Sequence, residues 1–315
     1  MVRIRKFQSG DQKQIVQLSK DVFPRFEFNL NHWEWRHKYD KSRIIVAEAD
    51  EKIIGHWAYV KRDLQQGEKR FKAGLTMAAM THPRWQNKGI FSKIAKMLFE
   101  FAKIEDLDFL FGFPNDASLT IHHHLGFIKI KSFHIFKKRL PKRDTIYKQS
   151  ILDPVKDYMK IHVPATPNSG RSVHLIKDKR YLRWRYFEKP KSNYLVFNIL
   201  NKDHARGFLV LKKFPREDGV HLHLIDISVD NNISGNSIYS NLFFSLESIG
   251  IQNDTDYLSV WKQNTGSFED GLIEKFGFIN DPSKTFHLTT KGITVKTSSL
   301  ASFQWDIKMG DTEIF

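Results

Sequence analysis

The chain contains one short stretch whose residue types could bind an anion. In RWQNKGIFSKI, residues 84–94, Gln86 and Lys88 supply an amide and a positive charge just before Gly89, and an apolar run follows. The first N–H groups of a helix lack partners inside it and lie at the positive end of its dipole. Because glycine has no Cβ, a ligand can come close to this backbone. The stretch is a candidate phosphate-binding turn, although a lone glycine at a helix start more often marks an ordinary turn.

Histidine is the residue type best suited to proton transfer at neutral pH, and the chain has 14 histidines and no cysteine. Three histidines are adjacent at 122–124, but side chains that follow one another on a helix point about 100° apart and do not converge on one metal ion. His221 and His223 would share one face of a strand, yet they supply only two ligands where a tight site needs three or four. We expect no metal site.

The turn and the histidines need elements that position them, and the spacing of apolar residues predicts those elements. Apolar residues alternate in strands and recur every three or four residues in helices. The first half therefore has the predicted order β-α-α-β-β-β-α-β-α-β, with strands at 2–7, 44–48, 53–62, 73–81 and 109–112, a last strand within the basic stretch 128–148, and helices at 11–22, 30–39, 90–102 and 118–124. The fold class is α/β (α+β), and Gly89 lies between a strand and the longest helix.

The two halves of the chain resemble each other. Three pairs of segments align: Trp35-Arg36 with Trp184-Arg185, Gly55 with Gly207, and HHLGFIK (123–129) with EKFGFIN (274–280). A chain of 315 residues suits two cores, since domains usually have about 100 to 200 residues. We predict two similar domains, residues 1–145 and 146–315, each a mixed, mostly antiparallel sheet flanked by helices.

The motifs around the turn occur in a specific order along the first half. His82-Pro83 is followed by Gln86-x-x-Gly89-x-Phe91, an amphipathic helix and a strand, and then by Asn115-x-x-Ser118-x-x-x-His122-x-x-x-Gly126-Phe127. With its motifs in this order, the segment of about residues 1–140 resembles the GNAT acyltransferase superfamily. Its motifs are Arg/Gln-x-x-Gly-x-Gly/Ala and, further on, Asn-x-x-Ala-x-x-x-Tyr-x-x-x-Gly-Phe. The resemblance, together with the internal repeat, implies two tandem GNAT-like domains.

The resemblance implies that the first domain binds acyl-CoA. Backbone N–H groups would hold the CoA pyrophosphate at Gln86, Asn87, Lys88, Gly89, Ile90 and Phe91. Met80 and Thr81 would pair with the pantetheine arm, and Asn115, with Ser118 in the same motif, would contact that arm. His122 stands at the family's tyrosine, which often protonates the leaving thiolate. A primary amine would attack the thioester directly, with a backbone N–H at or near Met80 stabilising the oxyanion and no metal required.

The sequence departs from the family's pattern at two points. Phe91 replaces the last Gly/Ala, which narrows the turn. The strand that leads to Met80 has no carboxylate, so the general base that some members place there is missing. His56 and His82 are candidate bases from their neighbourhood, while a water chain or an amine that arrives neutral is the alternative. For both histidines, a surface or hydrogen-bonded role without catalysis is the simpler interpretation.

The second domain is predicted to complete the acceptor pocket rather than to bind CoA, and a purely structural role is the alternative. Ser237 aligns with Gly89, and no basic residue precedes it. The segment SFQWDIK, 302–308, is predicted to be a strand that helps to form the pocket. Five aromatic residues of the first domain could line its mouth, although core packing is the simpler role for side chains of this size: Phe23, Phe26, Phe28, Trp33 and Trp35.

The charge of the chain favours an anionic partner. With 50 Lys and Arg against 35 Asp and Glu, the net charge is +15. Acyl-CoA and a nucleotide diphosphate sugar both carry phosphates, and tandem GNAT-like chains of this size resemble bacterial sugar N-acyltransferases. The leading hypothesis is therefore an acyl-CoA-dependent N-acyltransferase acting on a small primary amine. The acceptor would be the amino group of a nucleotide-linked (dTDP or UDP) deoxyamino sugar used in surface polysaccharide biosynthesis.

Other functions stay open at this point. They are acylation of an antibiotic, polyamine or peptide amine, a basic nucleic-acid-binding protein, and a GNAT-like binding module without turnover. A polycationic acceptor would prefer an acidic pocket, and no nucleic-acid motif accompanies the basic stretch 128–148. No apolar run is long enough to span a membrane, and the first residues lack the apolar core of a secretory signal, so we expect a cytoplasmic protein. The oligomeric state is left open.

Overall fold

The computed structural model describes residues 1–24, 28–38, 42–141, 150–164, 172–230 and 236–312. These residues form two compact units. Unit 1 consists of Met1–Leu64, Lys69–Ser132 and His287–Phe303, and unit 2 of Gln65–Glu68, Phe133–Phe286 and Gln304–Phe315. The predicted domain boundary between residues 145 and 146 lies outside the described residues.

The helices and strands follow one another through both units. In chain order they are β1 (Arg3–Lys6), α1 (Asp11–Val22), α2 (Leu30–Lys38), β2 (Arg43–Ala49), β3 (Lys52–Gln66), β4 (Lys69–Thr81), α3 (Ile90–Ile104), β5 (Phe109–Gly112), α4 (Asp116–His124), β6 (Ile128–Arg139), β7 (Leu152–Pro154), β8 (His174–Leu175), α5 (Lys179–Leu182), β9 (Tyr194–Asn201), β10 (His204–Arg216), β11 (Gly219–Val229), α6 (Asn236–Gln252), β12 (Tyr257–Trp261), α7 (Phe268–Phe276), β13 (Ile279–Gly292) and α8 (Thr297–Leu300). The order predicted for the first half is confirmed, and α1 has the predicted bounds.

The sheet of unit 1 has the strand order β1-β2-β3-β4-β5-β13. Strands β4 and β5 are parallel, while β5 and the end of β13 are antiparallel. Successive residues of a strand face opposite sides of a sheet. Accordingly Ile45 packs in the core formed with α3, and Val46 packs in the core formed with α1 and α2. The predicted mixed sheet flanked by helices is confirmed in this unit.

The sheet of unit 2 has the strand order β6-β12-β11-β10-β9-β7. Its strands are antiparallel except for the pair β11 and β12, which is parallel. Helix α6 connects those two parallel strands and supplies Ile238, Leu242 and Leu246 to the core of this unit. The order β9, β10, β11, α6, β12, α7 repeats the order β2, β3, β4, α3, β5, α4 of unit 1.

The C-terminal segment differs from its prediction. Residues 302–308 do not form a strand, and Trp305 makes a single bridge with Val173. Buried ion pairs hold the segment instead, because Lys308 Nζ lies 2.8 Å from both Glu269 Oε1 and Asp306 Oδ1. Charged groups can be buried when they are paired with opposite charges. Here the pair Lys308–Glu269 connects the segment to α7 without a strand ladder.

Among the helices of the described residues, none combines the length and the apolar character that a bilayer crossing requires.

The aligned glycines Gly55 and Gly207 are both in crowded places, but their neighbours differ. A Cβ at Gly55 would meet side chains, with Ile94 Cδ1 at 2.8 Å, whereas a Cβ at Gly207 would meet the backbone oxygen of Ser228 and, at 2.9 Å, the Cα of Val229. Side chains can shift more easily than a paired backbone.

We predict that Gly207→Ala lowers the free energy of unfolding by about 2–3 kcal/mol and Gly55→Ala by about 1 kcal/mol. Denaturant unfolding of the two variants measures both losses. Equal losses would mean that the backbone of β10 and β11 shifts as freely as the side chain of Ile94.

Candidate active site

The sheet of unit 1 opens between β4 and β5. Their pairing runs from Ala73–Phe109 to Thr76–Gly112, where β5 ends, while β4 continues to Thr81. Thr76 closes the paired part by donating its Oγ1–H to the Phe111 carbonyl oxygen at 3.1 Å. Residues 77–81 therefore extend past the last paired residue of β5, and the side of β4 that β5 leaves unpaired there is called the cleft below. Met80 is 2% exposed and lies in the core with α1 and α2, and Thr81 is half-buried.

The turn after β4 is built from local hydrogen bonds. Gln86 donates from Nε2 to the Thr81 oxygen at 3.1 Å, and its backbone N–H donates to the Pro83 oxygen at 3.4 Å. Asn87 and Gly89 both have left-handed backbones, with φ of 60° and 70°. Asparagine and glycine are the residues that adopt this conformation most readily. The turn is thus fixed by its own residues, and the N–H of Gln86 is already engaged inside it.

Helix α3 begins directly after this turn. An added Cβ at Gly89 would meet nothing within 4 Å, so the space over the helix start is open. Ile90 is buried in the core, and the Phe91 ring packs against Trp57 with 4.9 Å between ring centroids. The Phe91 side chain thus points into the core and does not cover the backbone N–H groups at the helix start. Lys88 Nζ lies 5.0 Å from the centre of the Trp85 ring, which holds a positive charge beside the turn.

Asn115 caps the second helix of the motif. Its side-chain Oδ1 accepts from the Ser118 N–H at 2.9 Å and from the Ser118 hydroxyl at 2.6 Å, as an N-cap residue does for α4. Because the oxygen of the Asn115 amide is used in the cap, its NH₂ group is the part that can contact a ligand. Asn115 is exposed and Ser118 half-buried.

His122 lies inside unit 1 with 5% of its surface exposed. Its Nδ1 is 2.9 Å from Thr289 Oγ1, which in turn donates to the Gly112 oxygen, and its ring packs on Phe127 at 4.7 Å. Burial lowers the pKa of His122 to about 4. The ring is therefore neutral at pH 7, which disfavours it as an imidazolium proton donor; that role stays a prediction.

His56 is 1% exposed and contacts the cleft strand. Its Nδ1 is 2.7 Å from the Ala78 carbonyl oxygen, and because that oxygen only accepts, Nδ1 carries the hydrogen. Burial lowers the pKa of His56 to about 4, so the neutral ring keeps a lone pair on Nε2. That atom is buried and has no hydrogen-bond partner among the described residues.

The remaining side chains predicted for the site are His82 and five aromatic residues. His82 begins the 3-10 turn Pro83–Trp85, where its Nδ1 accepts from the Arg84 N–H at 3.3 Å, so a neutral His82 has no second lone pair for a proton. Phe28, Trp33 and Trp35 are 3–5% exposed and belong to the interior. Phe23 is 38% exposed, and Phe26 lies outside the described residues.

One residue of the cleft was not predicted. Ala78 has φ of 51° in the middle of β4, a left-handed conformation that alanine rarely adopts. Glycine or asparagine would have signalled it in the sequence, and alanine does not. The signal lies in the contact with His56, which is 22 residues away in the chain.

Comparisons with known proteins agree with this geometry. Residues 3–129 match the family model of the acetyltransferase (GNAT) domain. None of the curated proteins matches the chain.

Solved structures show a similar fold. One is a GCN5-related N-acetyltransferase from Anabaena variabilis ATCC 29413 (TM-score 0.66, 13% identity, 93% of this chain and 73% of that one). A second is a conserved protein of unknown function from Enterococcus faecalis V583, a probable N-acyltransferase (0.68, 11%, 94% and 74%). A third is a GCN5-related N-acetyltransferase from Kribbella flavida (0.65, 10%, 93% and 71%). At such low identities this likeness shows the fold alone.

The family match covers the residues that form the cleft, the turn and the start of α3. Residues 3–129 are thus similar to the GNAT acetyltransferase domain. This match supports an acyl-CoA-dependent N-acyltransferase.

The protonation of His122 can be tested through stability. Its pKa is about 4 in the folded chain against an ordinary 6.5, so between these values the unfolded chain binds one proton more. As the pH falls through this window, His122 lowers the free energy of unfolding by roughly 1.4 kcal/mol per pH unit.

We predict that His122→Asn flattens the slope of unfolding free energy against pH, between pH 6 and 4.5, by this amount. Denaturant melts at several pH values measure it, and Asn keeps a polar atom near Thr289. An unchanged slope would mean that His122 has an ordinary pKa and that an imidazolium is available as proton donor near pH 6.

Proposed function

We propose that unit 1 binds acyl-CoA in the cleft beside β4 and transfers the acyl group to a small primary amine. We further propose that this amine is the amino group of a nucleotide-linked deoxyamino sugar. The observation that carries the proposal is the parting of β4 from β5 after Thr76 and Gly112, next to an open helix start at Gly89. The cleft accommodates an extended arm, and the helix start offers N–H groups to a pyrophosphate.

The CoA contacts follow from this arrangement. The N–H groups of Asn87 to Phe91 serve the pyrophosphate, with Lys88 adding charge. The backbone of Met80 and Thr81 pairs with the pantetheine arm, since β5 no longer occupies that side of β4. The NH₂ group of Asn115 is a further donor for the arm. Support comes from the left-handed backbone of the turn and from the Phe91 side chain. The size of Phe91 was expected to narrow the turn, but its ring points inward and leaves the turn open.

The reaction requires few side chains. The amine nitrogen attacks the thioester carbon, the new N–C bond forms, and the carbon–sulfur bond breaks to release CoA thiolate. The proton lost by the amine and the proton gained by the thiolate balance each other. Backbone N–H groups of residues 77–81 stabilise the oxyanion of the tetrahedral intermediate. The neutral states of His56 and His122 fit an amine that enters already neutral.

The acceptor proposal rests on charge. Besides the net charge of +15, the surface between α1 and α2 has a groove of about 450 Å³, and its lining includes Lys13, Lys20, Asn29 and Asn31. Two ammonium groups and two amides suit phosphate oxygens and the hydroxyl groups of a sugar. They do not suit a polycationic amine, which like charges would repel.

We propose that unit 2 is a second GNAT-like copy without a CoA site. Support comes from its element order and from Ser237, which aligns with Gly89 in the sequence but lies inside α6 rather than before it. The residues that precede α6, 231–235, lie outside the described part of the chain. One CoA per chain is the expected stoichiometry.

The CoA site is tested at Gly89. We predict that Gly89→Asp weakens acyl-CoA binding by about 100-fold or more, because a carboxylate would lie against the pyrophosphate. Calorimetric titration with acetyl-CoA measures the affinity. Gly89→Asn is the matched control, since it has the same shape, tolerates a left-handed backbone and carries no charge. Ser237→Asp should leave the affinity unchanged. Equal affinity in the wild type and Gly89→Asp would disprove the assignment.

The acceptor is tested with a panel of amines. The protein is incubated with several acyl-CoAs and with nucleotide-linked amino sugars, polyamines, aminoglycosides and peptides, and acylated products are sought by mass spectrometry. We predict product from the nucleotide-linked amino sugars. For that substrate the double change Lys13→Glu and Lys20→Glu should raise the acceptor KM about tenfold and leave the acyl-CoA KM within about twofold.

The control is the double change Lys156→Glu and Lys284→Glu, which removes the same charge at exposed positions of unit 2. A similar rise of the acceptor KM in both double variants would mean that the effect comes from the overall charge of the protein. Product from polyamines or peptides alone would show that the acceptor class is wrong while the acyltransferase activity stands.

A further inference from the structure

The left-handed backbone at Ala78 requires something to hold it. A residue with a Cβ is strained at positive φ, and such strain persists only where surrounding contacts over-determine the conformation. Ala78 lies in the part of β4 that has passed the last pair with β5, so no ladder with β5 fixes it. The contact that fixes it comes from β3.

His56 on β3 provides that contact. Its Nδ1–H donates to the Ala78 carbonyl oxygen at 2.7 Å, and the ring is almost wholly buried, with Trp33 6.0 Å away edge to face. Because the ring is packed in place, the hydrogen bond from its Nδ1–H fixes the direction of the Ala78 carbonyl group. The partner is a neutral ring, so the bond does not depend on charge near neutral pH.

The direction of this carbonyl determines the direction of the next N–H. The Ala78 oxygen and the Ala79 N–H belong to one planar trans peptide, in which they point opposite ways. With the oxygen held toward His56, the Ala79 N–H points away from His56. Residues 77–81 are the segment from which the thioester oxygen would receive its hydrogen bond.

We propose that His56 is a positioning residue for acyl transfer: by holding the Ala78 carbonyl it aims the Ala79 N–H at the thioester oxygen of the tetrahedral intermediate. This inference rests on the acyl transfer proposed for the same cleft. It replaces the general-base role, which would need Nε2 to reach the amine. Nε2 is buried without a hydrogen-bond partner among the described residues, and the ring is hydrogen-bonded to the cleft strand through Nδ1.

The test uses two variants of nearly equal shape. His56→Asn keeps an N–H donor near the position of Nδ1, and His56→Leu removes it. We expect His56→Leu to lower kcat about 100-fold, as loss of an oxyanion donor does, with the acyl-CoA KM within about threefold of the wild type. His56→Asn should keep kcat within about fivefold. If His56 were a general base, both variants would lack it and kcat would fall equally in both. Equal losses of kcat would therefore overturn the proposal.

A second change separates positioning from other roles of the ring. Glycine adopts positive φ without strain, so Ala78→Gly added to His56→Leu should raise kcat about tenfold above that of His56→Leu alone. The pH profile of kcat/KM should be the same in the wild type and His56→Asn. No recovery in the double variant would count against the proposal.

A measurement without substrate keeps this inference separate from the proposed function. The Cα and Cβ chemical shifts of Ala78 report its backbone conformation by NMR. Left-handed values are expected in the wild type and His56→Asn, and strand-like or averaged values in His56→Leu. Left-handed values in a folded His56→Leu would overturn the positioning role even if acyl transfer is found. Absence of acyl transfer in the wild type would instead overturn the function proposed for the cleft.

Discussion

The pair Thr76–Gly112 is the point on which the arrangement of unit 1 depends. Up to this pair β4 and β5 share a parallel ladder, and after it β4 continues to Thr81 with β3 on its other edge but without β5. Unpaired backbone groups must find partners, because leaving them without hydrogen bonds costs free energy. On this side of β4 a ligand with amide groups can supply what β5 does not. The turn at Gly89 and the start of α3 follow directly, so the open strand edge and the helix end proposed to hold the pyrophosphate lie next to each other along the chain.

The part of this arrangement that comes from local chemistry could be predicted from the sequence. The bounds of α1 follow from apolar residues at helical spacing, and α3 begins at Ile90 as predicted because Gly89 with its positive φ precedes it. The strands β3 and β4 were predicted too short, since their ends form an exposed hairpin around Gly67 where apolar alternation fades.

Features that depend on distant contacts could not be predicted in this way. The left-handed Ala78 needs His56, and the burial of His122 involves Thr289, 167 residues further along the chain. The motif position of His122 indicated its place on α4 correctly but carried no information about its surroundings, which decide its protonation. The strand predicted at 302–308 was wrong, because paired charges such as Lys308 with Glu269 hold the segment without a strand ladder.

The two parallel strand pairs differ in what lies beyond their last paired residues. In unit 2 the pairing of β11 with β12 runs to His223–Ser259, and β11 continues to Val229 much as β4 continues to Thr81. There the C-terminal segment supplies partners: Gln263, just after β12, donates to the Ile307 oxygen at 2.6 Å, and Lys177 joins Asp226 of β11 to Asp311. Ile307 itself is fully buried. Beside residues 226–229 of β11, Lys177, Asp311 and their neighbours line a cavity of about 60 Å³, so buried ion pairs border the space that corresponds to the open edge of β4. The open edge of β4 in unit 1 has no such segment among the described residues. The proposal of a single CoA per chain therefore rests on the buried ion pairs beside β11 and on the replacement of Gly89 by Ser237.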